Sequence, residues 1–559
     1  MPETTVNIAS HLPDLAARQP DTPAVIACQG RNVDGTIAAT IWTYRQLNDQ
    51  SDVIARGLGA FGIERGRRTV LLVPPGLDFF ALVFALYKVG AVMVCVDPGI
   101  GVRNLKKCLD EAEPEAFIGN PKAHLARMLL GWGRRTNRIN VTVPAGDRRP
   151  VRRGQTCNLS WIRQLGGEQG PPALAETRET DPAAILFTSG STGTPKGAIY
   201  SHGNFCAQVQ ALKAAYDIAP GEIDLATFPL FGLFAPALGM TAVVPEMDFT
   251  RPGRADPAHI LQAITQFQVT TMFGSPALLD RLGRHAASGP PRKLPTLRRV
   301  ISAGAPVPAK VLANISDLLQ PPAQVHTPYG ATEALPVCSI GSKELLAETV
   351  SRTDEGRGVC VGRPVGDMEV RVIQVRDDAI ERWSDDLLQP PETVGEVAVR
   401  GPVVTAAYHN RPAATARAKI PAEDGSFYHR MGDLAYFDAS GRLWFCGRKS
   451  QRVKLADGDL YTVCCEGIFN AHPSVYRSAL VGVPRRGQTL PAICVELEEA
   501  DRNIDRDQLT QDLLHRAQAH DHTRVIKHIL FSRRFPVDIR HNAKIGRERL
   551  ARWAAGRLP

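Results

Sequence analysis

At 559 residues the chain exceeds what one ordinary core fills, so two or more domains are expected. Hydrophobic and charged contents of 44% and 22% are ordinary for a soluble globular enzyme. The net charge of +9 comes partly from arginine pairs at 134–135, 148–149 and 152–153, and no nucleic-acid-binding motif accompanies them. Solvated loops plus an anion-binding site account for that excess, so no nucleic-acid partner is expected. The eleven cysteines are scattered and none forms C-x-x-C, which argues for reduced thiols and against a disulfide framework or zinc site. The N-terminus lacks a basic region followed by an apolar one, and the most apolar run, Phe79 to Val96, is interrupted by Lys88 and Gly90. Neither a secretory signal nor a transmembrane segment is read, and a cytoplasmic location is expected.

From the N-terminus, Leu47, Val53, Ile54, Leu58 and Phe61 recur at near-helical spacing. Thr69–Val73 reads as a buried strand, followed by a helix at Phe79–Lys88 and a strand at Ala91–Val96. This alternation implies a mostly parallel sheet covered by helices. Residues 133–182 are rich in Arg, Gly, Pro and Glu and read as a long surface connection.

An apolar run, Ala183–Phe187, then leads into Thr188, Ser189, Gly190, Ser191, Thr192, Gly193, Thr194, Pro195, Lys196 and Gly197, with a second short run at Ala198–Tyr200. Glycines turn backbone N–H groups toward an anion at little steric cost, and successive N–H groups form a nest for phosphate oxygens. The hydroxyls add donors and Lys196 a point charge. Pro195 stands where a Walker A loop needs glycine. Flexible linkers share this composition but require neither the lysine nor flanking strands.

Further on, strand Thr270–Phe273 ends at Gly274-Ser-Pro276, and strand Arg299–Ile301 ends at Ser302-Ala-Gly304-Ala305-Pro306. Both turns lie at carboxyl ends of strands, where open α/β sheets bind ligands. Residues 359–448 read as short strands with turns, a small β region. From about Lys449 the pattern becomes a smaller α+β unit.

The ordered motifs resemble the adenylate-forming superfamily of acyl-CoA synthetases, peptide-synthetase adenylation domains and luciferases. Thr43–Leu47, Lys88–Ala91 with Val96–Pro98, Thr188–Gly197, Tyr329–Glu333, Arg430–Leu434, Gly441–Arg448 and Ala543–Arg547 match its motifs in order. Within it, the chain is most similar to the β-lactone synthetases of bacterial long-chain olefin biosynthesis. Val96–Ile100, Thr227–Phe231, Pro328–Glu333, Trp444–Lys449 and Phe535–Arg547 carry that likeness.

The resemblance implies an α/β fold: a large N-terminal adenylation domain (1–448) of helix-covered, mostly parallel sheets plus a small β region, and a smaller mobile α+β cap (449–559) carrying the catalytic lysine. It implies ATP and Mg²⁺. The loop from Thr188 to Lys196 would hold the β- and γ-phosphates, Thr332 an α-phosphate oxygen, and Glu333 the metal. Tyr329 would stack on adenine, Gly330 belongs to the same nucleotide site, and the backbone of Gly304, Ala305 and Pro306 would line the base. Asp433 would take the ribose hydroxyls and Arg448 steady the sugar or phosphates. Lys544 would bridge the attacking carboxylate and the nucleotide. Lys196, Thr332, Glu333 and Lys544 are thus the expected catalytic residues.

An apolar acyl pocket is expected from Phe228, Phe231, Gly232, Phe234, Phe273 and Gly274. The implied substrate is a long-chain 2-alkyl-3-hydroxy fatty acid, adenylated and then closed to a β-lactone with release of AMP and pyrophosphate. The resemblance leaves room for association with other enzymes of that pathway. A fatty acyl-CoA or acyl-AMP ligase is the alternative. Against it stand Ser450 in the hinge, the blurred glycine motif around Gly458, and Gly232 where many relatives carry a bulky residue. A catalytically inactive nucleotide-binding protein is a third reading, opposed by the retention of Lys196, Glu333, Asp433, Arg448 and Lys544.

Overall fold

Apolar runs of three to six residues, rich in Val, Ile, Phe and Ala, form strands buried on both faces, and two sheets result. The computed structural model describes the chain except residues 1–4, 147–148, 171–173, 188–194, 229–231, 233, 291, 486, 538–543 and 559.

In the first sheet, strands Pro182–Phe187, Val92–Cys95, Arg68–Leu72, Ala116–Gly119, Ile139–Thr142 and Thr156–Asn158 lie side by side and parallel. Gly197–Ser201 adds antiparallel to Pro182–Phe187, with Gly197 opposite Phe187. The predicted strand–loop–strand unit is therefore a hairpin. Its residues 188–194 lie outside the described ones.

The second sheet runs parallel through Pro23–Arg31, Thr241–Val244, Ile223–Ala226, Thr271–Phe273, Arg299–Ile301 and Gln324–Ala331. Beyond Gln324–Ala331 it turns antiparallel and continues through Ala334–Gly341, Val359–Pro364, Leu443–Arg448, Phe427–Phe437, Gly395–Arg400 and Glu369–Ile373. The small β region read at 359–448 is thus the antiparallel half of this sheet. The joint is short: Cys338 pairs with Pro364 and Ser339 with Arg363.

Helix Leu77–Lys88 is apolar on every side and almost wholly buried. It ends on a buried lysine: Lys88 Nζ donates to Asn48 Oδ1 at 2.8 Å, Ser51 Oγ at 2.8 Å and Asp52 Oδ1 at 2.5 Å. All three acceptors come from helix Tyr44–Ala60, which starts on a Thr43–Gln46 capping box.

The expectation of a plain surface connection at 133–182 is corrected. This segment supplies strands Ile139–Thr142, Arg152–Arg153 and Thr156–Asn158 and helix Leu159–Gly167. Its scattered apolar residues, Ile139, Val141, Cys157, Leu159 and Ile162, are buried. Two glycines fix the helix against Tyr44–Ala60. A Cβ on Gly166 would lie 1.9 Å from Val53 O, and one on Gly57 2.0 Å from Ile162 O. The composition hid an element whose backbone packs directly on a neighbour.

The last 110 or so residues have a sheet of their own, Val475–Arg485, Gln488–Leu497 and His528–Phe531. Two apolar clusters lie wholly within 453–558. Among the described residues, no helix is long and apolar enough to cross a membrane.

Asp224 sits on a central strand with 7% exposure. Nearby Arg299 already gives its guanidinium to Glu222, to Thr271 Oγ1 at 2.7 Å and to Asp217 O at 2.9 Å. Burial therefore outweighs the Arg299 charge and pushes the Asp224 carboxyl from 3.8 up to about 7. The folded chain holds this proton more tightly than the unfolded chain. That stability is full below the unfolded value and is lost as pH rises to about 7. Asp224→Asn is expected to melt higher than the parent at pH 8, by up to about 4 kcal/mol in unfolding free energy, with the gap closing toward pH 4. Identical melting curves for parent and variant at pH 8 would contradict the assignment.

Candidate functional site

A cavity of about 1460 Å³ is lined by residues from both sheets and from the C-terminal unit. It exceeds the few hundred to about 1,000 Å³ of ordinary small-molecule sites, so it has room for more than one ordinary small ligand.

Backbone pairing assembles its polar end. Strand Gly197–Ser201 bonds to the segment around Tyr408: Ile199 N donates to Ala407 O at 3.0 Å and His409 N to Gly197 O at 2.8 Å. Thr405 N in turn donates to Glu333 O at 2.9 Å. Lys196, Tyr408 and Glu333 are thereby brought together. Lys196 Nζ lies 4.8 Å from the centre of the Tyr408 ring, and Tyr408 Oη donates to Glu333 Oε1 at 2.5 Å. Tyr200 Oη donates to Thr332 O at 2.5 Å, which fixes the Thr332 backbone. Lys196, Gly304, Gly330, Thr332, Glu333, Arg448 and Lys544 all line the cavity. Among the described residues no three His, Cys, Asp or Glu side chains converge as a metal cage. A lone carboxylate such as Glu333 suits a Mg²⁺ ion whose other ligands are phosphate oxygens and water.

Asp433 sits behind the Gly432–Arg448 wall, 3% exposed. Its Oδ2 accepts from Tyr329 Oη at 2.8 Å. Oδ1 lies 3.1 Å from Arg448 Nη1 but takes no hydrogen bond among the described residues. Burial raises the carboxyl pKa and the Arg448 charge opposes that rise. Asp433 therefore keeps acceptor capacity in a dry place. Tyr329 is half-buried beside it and its ring tilts against Phe445. Ala305, Pro306, Tyr329 and Asp433 do not themselves line the cavity.

The apolar end is aromatic. Phe228 and Phe273 meet at 5.5 Å between ring centres, and Phe205 meets Phe234 at 6.0 Å. Phe228, Phe234 and Phe273 line the cavity; Gly232 and Gly274 do not. A Cβ on Gly232 would meet Ala226 Cβ at 2.7 Å, and one on Gly274 would meet Leu279 Cδ2 at 2.5 Å. Both glycines serve close packing behind the wall. Phe231 and Thr188–Thr194 lie outside the described residues.

Sequence reasoning passed over several wall residues. Phe79, Val83, Phe84 and Tyr87 come from the buried helix, and their helical spacing signals burial without showing that a cavity lies beside it. Tyr408 and His429 had no motif to mark them. His429 lines the cavity, and its Nδ1 is buried without a hydrogen-bond partner among the described residues. Burial, with the charges of Lys419 and Lys196, pushes its pKa down and keeps the imidazole neutral.

Comparison with known proteins bears on this arrangement. The family described as AMP-binding enzyme matches residues 12–409. The chain is 50% identical to the olefin beta-lactone synthetase of Stenotrophomonas maltophilia, over 99% of this chain and 98% of that protein. It is 28% identical to the acyl-CoA ligase sidI of Aspergillus fumigatus, over 79% of this chain and 74% of that one. In fold it is similar to the amide bond synthetase McbA from Marinactinospora thermotolerans, with a TM-score of 0.77, 23% identity, and 98% and 99% of the two chains covered.

Lys419 stands behind this wall, its Nζ donating to Thr405 O and lying 4.8 Å from the centre of the Phe427 ring. Burial pushes its pKa down to about 7, against the pull of the Glu333 charge. An NMR titration of isotope-labelled dimethyl-lysines is expected to show one lysine titrating near neutrality, absent in Lys419→Met and shifted lower still in Glu333→Gln. A Lys419 resonance near the ordinary lysine value of about 10.4 would contradict this environment.

Proposed function

The chain belongs to the AMP-binding enzyme family, and from that premise we propose that it is an ATP-dependent β-lactone synthetase acting on a long-chain 2-alkyl-3-hydroxy fatty acid. The observation that carries the reading is one cavity in which Lys196, Thr332, Glu333, Arg448 and Lys544 share a wall with a bank of aromatic rings. The 50% identity to an olefin beta-lactone synthetase over nearly the whole of both chains supports it.

In the first step a carboxylate oxygen of the acid attacks the α-phosphorus of ATP and pyrophosphate leaves. Negative charge builds on the phosphoryl oxygens, and fixed positive groups stabilise it without reorganising. Lys196 is a point charge toward the β- and γ-phosphates, held over the Tyr408 ring. Lys544 reaches the cavity from the C-terminal unit and would bridge the attacking carboxylate and the nucleotide. Glu333 would hold Mg²⁺, which neutralises phosphate charge when bound. Asp433 would accept the ribose hydroxyls through Oδ1, which in this structure faces Arg448 behind the Gly432–Arg448 wall, so that wall has to shift for the contact to form.

In the second step the 3-hydroxyl oxygen attacks the acyl carbonyl carbon, the carbon–oxygen bond to AMP breaks, and a four-membered lactone closes. The hydroxyl proton is released. The nucleophile is tethered to the electrophile, so no thiol need be bound, although ring strain offsets part of the proximity gain. The domain division that goes with this chemistry is 1–448 and 449–559, with the hinge at 449–450. The separate sheet and apolar clusters of the C-terminal unit support it.

The reading is tested by incubating enzyme, ATP, Mg²⁺ and a racemic 2-alkyl-3-hydroxy fatty acid with and without CoA, and identifying the product by NMR. A β-lactone is expected in both arms. A thioester formed only with CoA would replace this reading with an acyl-CoA ligase. For the nucleotide roles, Glu333→Ala and Asp433→Ala are each expected to cost about 2–4 kcal/mol in kcat/KM for pyrophosphate release, the scale of one preorganised electrostatic contact. Pyrophosphate release at the parental rate from both variants would remove the nucleotide assignment.

A further inference from the structure

Helix Pro121–Leu130 carries an apolar face that the fold leaves uncovered. Leu125, Met128 and Leu129 are 54%, 64% and 76% exposed. Their i, i+3, i+4 spacing sets them side by side on one face of the helix. The opposite face is anchored: Ala123 and Ala126 pack in a cluster with Leu105, Phe117 and Trp132. Isolated exposed apolar residues are ordinary, but three large ones on a single helical face mark an interaction surface.

Two further observations say what covers it. The first is charge. Exposed Lys107, Lys122, Arg134 and Arg135 lie on this helix, on the turn that follows it and on the neighbouring helix Val102–Ala112. The two helices are tied together where Lys106 Nζ donates to Gly131 O at 3.2 Å and Gly133 N to Asp110 Oδ1 at 3.3 Å. The two acids of helix Val102–Ala112 are already paired, Asp110 with Lys106 at 2.9 Å and Glu111 with Arg411 at 2.6 Å. An apolar helical face with a basic rim is the pattern of a helix lying in the headgroup layer of an anionic bilayer. The second is position. Lys122 and Ala123, on the first turn of the same helix, line the cavity, as does Asn120 before it. The uncovered face therefore begins one turn from the cavity wall.

We propose that the Leu125–Met128–Leu129 face docks on an anionic lipid surface. Docking there would bring the cavity to where a long-chain acid is dissolved, so that the chain passes from bilayer to protein without crossing water. This last consequence rests on the acyl function proposed above; the docking itself does not.

The test uses the full-length protein without substrate. Co-sedimentation is measured with phosphatidylcholine vesicles and with phosphatidylcholine vesicles containing phosphatidylglycerol. Binding to the anionic vesicles is expected to be about tenfold tighter or more, and to weaken with added salt. A Leu125→Ser/Met128→Ser/Leu129→Ser variant is expected to lose that binding while staying folded, with only the small drop in melting temperature that serine's lower helix propensity brings. Arg134→Glu/Arg135→Glu is expected to abolish the preference for anionic vesicles. Equal binding to both vesicle types, or serine-variant binding equal to the parent, would overturn the proposal. So would concentration-dependent self-association that the serine variant abolishes, with no vesicle binding by either; the face would then belong to a protein contact. Because no substrate is present, these results stand apart from the product assay.

Discussion

A carboxylate that water does not reach holds the site together. Asp433 is paired across the strands with Arg448 and hydrogen-bonded by Tyr329, so three segments distant in sequence meet on one side chain. Strand Phe427–Phe437 brings His429 and Arg430 with it, strand Leu443–Arg448 leads directly into Lys449, and strand Gln324–Ala331 delivers Thr332 and Glu333 just beyond its end. A buried carboxylate is tolerated when its counter-charge is in place and costs several kcal/mol when that cation is removed and no other replaces it. The antiparallel half of the second sheet is held in register by this requirement as well as by its ladder hydrogen bonds.

The cavity follows from how the sheets are covered. A helix buried on every side, Leu77–Lys88, has no polar face to give to solvent. It packs into the common apolar core while Phe79, Val83, Phe84 and Tyr87 also border the cavity. Space left beside such a helix is lined by aromatic and aliphatic surface, whereas the ends of the hairpin and of strand Gln324–Ala331 supply the polar groups. The two chemical characters of the site thus come from different parts of the elements: strand ends for charge, helix flank for hydrocarbon.

How far this could be read from the sequence depended on the range of the interaction. Glycine-rich turns after strands are local signals, so the hairpin around Lys196 and the strand ends at Phe273 and Ile301 were legible. Tyr408 was not, because its partner Glu333 is 75 residues away and nothing near Tyr408 encodes the contact. His429 was hidden as well, lying in a strand buried almost throughout, where burial does not show what one side chain faces. The helix at Leu159–Gly167 was lost to composition. Its glycine at 166 reads as a breaker in sequence, yet in space it lets the chain approach Val53 closely. Gly232 reads as part of an acyl wall because many relatives carry a bulky residue there, and Gly274 because it ends a strand beside Phe273; in the structure both pack behind the wall.

Glu396 carries one more consequence. It is 1% exposed and holds two cations, Arg430 at 2.6 Å and Lys449 at 2.9 Å. Arg430 belongs to the same sheet and is itself buried, whereas Lys449 opens the segment that leads to the C-terminal unit. If the C-terminal unit swings at the proposed hinge and draws Lys449 with it, the Lys449 contact is lost and the Arg430 contact is kept. The core then would not face the large penalty of an orphaned anion. What would change is the local field, by one unit of charge, at the cavity wall itself, which Glu396, Arg430 and Lys449 line together. A lysine at the proposed hinge would in this way act as a removable counter-ion, coupling the attitude of the C-terminal unit to the electrostatic potential felt by whatever occupies the cavity.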